Sequence, residues 1–171
     1  CPHFGICGGC LYQPIPYEEQ LAIKEKQVRS LLDAVCPEYE FEGILGSPLV
    51  QGYRNKMEFS FGDEVKDGPM SLGMHKRGSF YDVVTTGECH IVHPDFCKIL
   101  VCTKEYFEEK KVGFYKKMQH TGYLRHLLVR RAIKTGEILV DLITTTQTDT
   151  FEGTEEALLR GWTERLQALP M

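Results

Sequence analysis

The chain is predicted to adopt an α+β fold with a mainly antiparallel sheet flanked by helices and an N-terminal cysteine-rich loop. Three observations point to it. Strand-like runs cluster between residues 56 and 85 and again between 123 and 144. Helical stripes lie before, between and after those clusters. Neighbouring strands are joined by short turn sequences, which suits antiparallel pairing. Residues 1–15 form the cysteine loop, closed by Pro14 and Pro16, and Pro16 suits the first turn of a helix. Tyr17, Leu21, Val28, Leu32 and Val35 then recur at helical spacing. That helix should stop near Cys36-Pro37, because proline disfavours helical backbone in the residue before it. Met57, Phe59 and Phe61 alternate with Lys56, Glu58 and Ser60, the period of a half-buried strand. Asp67-Gly68-Pro69 is a turn signal, and Met70 to His75 with Phe80 to Thr85 predicts two more strands around Lys76-Arg77-Gly78. A helix is expected from Pro94 to about Met118, with Phe96, Leu100, Thr103 and Phe107 on one face and a break at Gly113. Tyr123 to Ile133 and Glu137 to Thr144 flank a hairpin turn at Lys134-Thr135-Gly136. Leu158, Trp162, Leu166 and Leu169 form the stripe of a last helix. The expected organisation is a loop at 1–15, a helix at 16–37, and a unit at 38–171 that is compact with the loop.

Composition is that of an ordinary globular domain, 42% hydrophobic and 26% charged, with no membrane-length apolar run. Seven cysteines, an odd number, fit a reducing cytoplasm with metal-bound thiolates better than a secreted disulfide scaffold. A first residue that is cysteine rather than methionine suggests an excised or processed piece. The net charge of −4 speaks against a nucleic-acid binder, but its distribution does not. Between Lys116 and Lys134 there are six basic residues and no acid, whereas Glu137 to Met171 holds seven acids and two arginines. Such a basic stripe suits a phosphate backbone; the alternative is a solvated face paired with nearby acids.

The densest chemical signal is Cys1-Pro-His-Phe-Gly-Ile-Cys7-Gly-Gly-Cys10, with Gln13 close behind. Three thiolates on one tight loop suit a metal or iron–sulfur centre whose fourth ligand comes from elsewhere. Gly8 and Gly9 let the backbone wrap close to sulfur. The fourth ligand is open among Cys36, Cys89, Cys97 and Cys102. Cys89 sits in a polar turn between strand and helix, whereas Cys97 and Cys102 read as buried thiols of a helix and Cys36 as incidental. Zinc competes with a cluster, since one C-x2-C knuckle plus two distant ligands can hold it, with His90 and His93 within reach. A redox-active cysteine protein lacks its strand–CxxC–helix context.

These residues resemble the RNA 5-methyluridine methyltransferases that carry a [4Fe–4S] cluster and act on 23S ribosomal RNA or transfer RNA. Besides the C-x5-C-G-G-C-x2-Q loop, three segments are similar in order and spacing: Gly52 to Phe61, Gly73 to Arg77 running on to Cys89, and Gly122 to Arg130. The resemblance implies that Cys1, Cys7, Cys10 and Cys89 hold the cluster. Because such ligation would tie residues 1–10 to Cys89 across a long chain loop, its expected role is structural, with redox sensing as the alternative. It implies a central, RNA-positioning domain, partnered in cis by a C-terminal domain that uses S-adenosylmethionine. No glycine-rich methyl-donor loop, Asp-Pro-Pro-Arg run or Ser-Cys-Asn-Pro-like nucleophile segment accompanies it, so these residues alone are expected to be catalytically inert. Candidate RNA contacts are Arg54, Lys56, Lys76, Arg77, Arg125, His126, Arg130 and Arg131, with Tyr53, Tyr81, Tyr123 and His126 as possible stacking platforms. By strand parity Arg125 and Arg131 should face away from His126 and Arg130. The competing reading is a zinc-stabilised binding module. The 17–35 helix is expected to pack on the C-terminal domain, or to support a dimer through its exposed apolar face.

Overall fold

A computed structural model describes residues 1–36 and 38–171; Pro37, the predicted helix stop, lies outside the described residues. Five strands form one antiparallel sheet: β1 Lys56–Asp63, β2 Met70–His75, β3 Val83–Thr85, β4 Leu124–Arg131 and β5 Ile138–Thr144, in the order β3-β2-β1-β4-β5. Helix α1 is Tyr17–Val35, α2 is Pro94–Glu109 and α3 is Glu155–Gln167. The α+β architecture is as expected.

Period-two alternation decides which face of the sheet is covered. Met57, Phe59, Phe61, Leu72, Leu127 and Val129 are buried in one core with Phe96, Ile99, Leu100 and Phe107 of α2 and Leu158 and Trp162 of α3. Two polar groups of the buried aromatic side chains find partners. Trp162 Nε1–H donates to Thr103 Oγ1 at 3.1 Å, and the Tyr106 hydroxyl donates to the Leu158 carbonyl at 2.8 Å. Register places Lys56, Glu58 and Ser60 of β1 beside Arg130, Leu128 and His126 of β4 on the opposite face.

Four local expectations change. Strand β3 is only three residues long, because the Ser79 hydroxyl accepts from the Tyr81 and Asp82 amides and turns the chain there. Phe80 and Tyr81 are therefore exposed in the turn. Helix α2 ends at Glu109, where Lys111 adopts a left-handed φ of 54° and Val112 N–H returns to the Phe107 carbonyl at 3.0 Å, ahead of the expected break at Gly113. Strand β4 carries a bulge between Leu124 and His126, so the simple parity assigned to Arg125 fails. Tyr123 is not a stacking platform: it is fully buried, packs edge-on against Phe151 and donates to Glu155 Oε1 at 2.6 Å.

Helix α1 has the predicted bounds but buries no residue, and Leu31 and Val35 are exposed. Its link to the chain that follows includes the Ser47 amide donating to the Tyr17 hydroxyl at 2.6 Å.

Burial first, and then the bond to Glu155, pushes the Tyr123 phenol up to about 12. The folded value lies above the unfolded one of about 10. The neutral phenol's contribution is therefore complete below pH 10 and is lost as pH rises through 12. Urea midpoints of the wild type should fall more steeply over pH 10–12 than those of Tyr123→Phe. Parallel profiles would show that Tyr123 carries no such linkage.

Candidate functional site

The cysteine loop is fastened to the end of β2 by backbone bonds. Gly8 N–H donates to the His75 carbonyl (2.9 Å) and Arg77 N–H to the Ile6 carbonyl (2.8 Å), while the Arg77 guanidinium donates to the Cys10 carbonyl (2.8 Å). A second set of contacts ties the loop to the turn before α2. The Glu88 amide donates to His3 Nε2 at 3.2 Å, and the Cys1 thiol lies 3.8 Å from the Glu88 carbonyl. Neighbouring backbone is zipped down in the same place, with Gly52 N–H on the His90 carbonyl and Arg54 N–H on the Ile91 carbonyl.

These fastenings bring Cys1, Cys7, Cys10 and Cys89 around one cavity of about 70 Å³ on the helix-bearing side of the sheet. Its walls include Met57, Met74 and Ile91, with Arg54 and Gln13 among the polar members. Cys36, Cys97 and Cys102 do not line it. Cys36 is exposed, Cys102 is buried, and the Cys97 thiol lies 3.7 Å from the Cys89 carbonyl. All seven cysteines are free thiols. Burial, then the Cys89 and Cys7 thiols, push the Cys10 thiol up, opposed by Arg54.

The surroundings offer sulfur together with polar groups that lack a partner. The Gly9 amide points to Cys7 Sγ at 3.3 Å, and a side chain at Gly9 would meet that sulfur. Thr86 Oγ1 and Gln13 Oε1 are buried without a hydrogen-bond partner, and both residues line the cavity. Unpartnered polar atoms in such a place are unusual and suit a group that offers them hydrogen bonds. Tetrahedral zinc needs its sulfurs about 3.8 Å apart, from a bond of about 2.3 Å. Among the described residues no three His, Cys, Asp or Glu side chains converge as a single ion requires. His90 and His93 do not line the cavity, and His93 caps α2 by accepting from the Asp95 amide. Thr86 and His3 were not singled out from sequence; Thr86 carries no motif, and His3 lies within the cysteine loop.

The candidate RNA residues separate into groups. Arg54 lines the cysteine cavity, and Arg77 is occupied by the loop's carbonyl. Lys76 lies 2.7 Å from the Glu64 carbonyl and 3.6 Å from its carboxylate. Lys56 and Arg130 face each other across β1 and β4, and Lys56 also pairs with Glu58 at 3.2 Å. Arg131 is half-buried. Arg125 and His126 line one groove, which the bulge makes possible. Among the described residues Arg125, Arg130 and Arg131 make no ion pair, so the alternative of pairing with nearby acids is not what holds them.

No family model matches the chain. Among curated proteins it is 53% identical over 156 residues to an uncharacterized RNA methyltransferase of Clostridium acetobutylicum, covering 91% of this chain and 34% of that protein. It is 33% identical over 144 residues to the tRNA (uracil(54)-C(5))-methyltransferase of Pyrococcus furiosus, covering 84% of this chain and 32% of that protein. Among solved structures it is similar to the Pyrococcus abyssi tRNA (uracil-54, C5)-methyltransferase in complex with S-adenosyl-L-homocysteine, at TM-score 0.65 and 26% identity, over 94% of this chain and 35% of that one. The chain thus spans about a third of the length of the relatives it matches.

A side chain at Gly73 would collide with the Val84 carbonyl and come within 2.8 Å of Thr86 Oγ1. Gly73→Ala should therefore destabilise the chain by about 1–3 kcal/mol, as overpacking does, while loosening the cavity wall at Thr86. An unchanged urea midpoint would show that β3 can move away freely.

Proposed function

We propose that this chain is the cluster-bearing, RNA-positioning region of an S-adenosylmethionine-dependent RNA uracil-C5 methyltransferase. The observation that carries the reading is the meeting of Cys1, Cys7, Cys10 and Cys89 around one cavity, in a chain similar to RNA methyltransferases over most of its length. In this reading the four thiolates hold a [4Fe–4S] cluster. The cluster's chemistry here is structural: charge and softness matched to thiolate, holding residues 1–10 against Cys89 across a long chain loop. Arg77 and His3 set the loop's position through backbone partners. Thr86 and Gln13 face the centre with polar atoms that nothing else satisfies.

The substrate is ribosomal or transfer RNA. Arg130 with Lys56 on one part of the sheet and Arg125 with His126 on another supply cations and a planar ring. Methyl transfer itself belongs to the remainder of the longer protein, which packs in cis, and the reducing cytoplasm is where such a thiolate site persists. Among the described residues no helix is long and apolar enough to cross a membrane.

Anaerobic reconstitution with iron and sulfide should give a brown protein with about four irons per chain, and Cys89→Ser should lower the iron content sharply. Tight stoichiometric zinc with no iron uptake would favour the zinc module instead. A labelled RNA should bind more weakly as salt rises, because phosphate contacts release counterions. Arg130→Ala should weaken binding for all sequences alike and flatten the salt slope by about 1. Affinity that ignores salt would remove the electrostatic account.

A further inference from the structure

A broad concavity lies on the face of the sheet opposite the cysteine cavity. It has a volume of about 580 Å³, within the usual range of about 300–1,000 Å³ for small-ligand sites. Its floor is Ser60, Gly62, His75 and His126 of β1, β2 and β4, and residues 114–119 form one wall. Tyr81, displaced from β3 by the Ser79 turn, stands at the other side, 62% exposed.

We propose that this groove takes one or two unstacked nucleotides of a single-stranded RNA segment. The inference rests on the RNA reading above and adds where, and in what form, the RNA is held.

Three features select this ligand. First, the groove offers flat surfaces for a base. Tyr81 is free to stack, and Tyr115 already carries the Arg125 guanidinium 5.0 Å above its ring. Second, it holds polar groups able to read a base edge. The His75 Nδ1 is buried without a partner, and His126 Nδ1 is 3.3 Å from Ser60 Oγ, which leaves its Nε2 for a ligand. Burial holds the His126 imidazole below its ordinary range, which favours the neutral ring, whose free Nε2 donates or accepts according to its tautomer. Third, the charge balance favours an anion. Asp67 is engaged by Lys116 at 2.7 Å, and Asp63 accepts from the Asp67 amide at 2.8 Å. Asp63 and Asp82 are the remaining acids of the lining, against Lys66, Lys117 and Arg125, which make no ion pair among the described residues, so the balance is positive by one charge. A duplex would present no unstacked base, and its Watson–Crick edges are already paired. An uncharged peptide would leave the unpaired cations without matching partners.

The groove also shares a strand with the cysteine cavity. Met74 lines one and the adjacent His75 lines the other, and His75 carries the carbonyl that accepts from Gly8. The loop therefore fixes the backbone from which the groove's unpartnered imidazole projects.

The test uses the 171-residue chain with a fluorescent single-stranded RNA decamer containing 4-thiouridine, and a hairpin of the same composition. Wild type should bind the single strand in preference to the hairpin. Tyr81→Ala, at an exposed position, and His126→Gln should each lower single-strand affinity about tenfold, the effect of losing one stacked or hydrogen-bonded base. Ultraviolet crosslinks should map to Tyr81, Tyr115 or neighbouring residues of the 114–119 segment. If wild type binds with the expected salt dependence but both variants match it and crosslinks map elsewhere, the groove is overturned and the RNA reading stands. Hairpin binding equal to single-strand binding would overturn it as well. If wild type binds no RNA at all, the RNA reading fails and the groove with it. Circular dichroism melts of both variants separate lost binding from lost folding.

Discussion

Attachment of the first ten residues to the end of β2 is the constraint on which the rest of this molecule turns. The Gly8–His75 and Arg77–Ile6 backbone bonds and the Arg77–Cys10 clamp fix where three thiols stand. The His3–Glu88 contact fixes the fourth relative to them. Each bond alone is worth about 0.5–1.5 kcal/mol. Together they close a loop of nearly ninety residues, and the entropy cost of that closure rises only slowly with length. A centre bound by all four thiolates would add its binding free energy to the same closure.

The sheet serves two faces with one set of strands. Its helix-bearing face is filled by Phe59, Phe61, Leu72 and Leu127 against α2 and α3, which leaves the strands little freedom to shift. That rigidity lets the other face present polar side chains in fixed register. The bulge in β4 then does something regular alternation cannot: it puts Arg125 and His126, neighbours in sequence, along one groove.

Charge is organised in the same local way. The chain's net charge of −4 conceals arginines on β4 that no acid neutralises among the described residues. The Arg165–Glu109 ion pair at 2.6 Å is exposed and joins α3 to α2, where such a pair contributes little to stability. Asp67 engages Lys116 at one end of the basic stripe, and among the described residues no acid pairs with the stripe's arginines.

The sequence by itself determined the α+β class, the bounds of α1, the β4–β5 hairpin and the thiol-rich loop. These depend on period, turn chemistry and ligand spacing, which are local properties of the chain. It also marked Cys89, in its polar turn, as a candidate to join the loop, and a family resemblance singled it out among four cysteines. The tertiary structure alone decided that Cys97 and Cys102 stand apart from the cavity, that Thr86 and His3 border it, that Tyr123 is core, and that Arg77 clamps the loop. Each of these depends on which segments meet across long separations. A hydroxyl at 86 or a guanidinium at 77 carries no periodic or motif signal of its partner, because the partner is chosen by packing of the whole sheet.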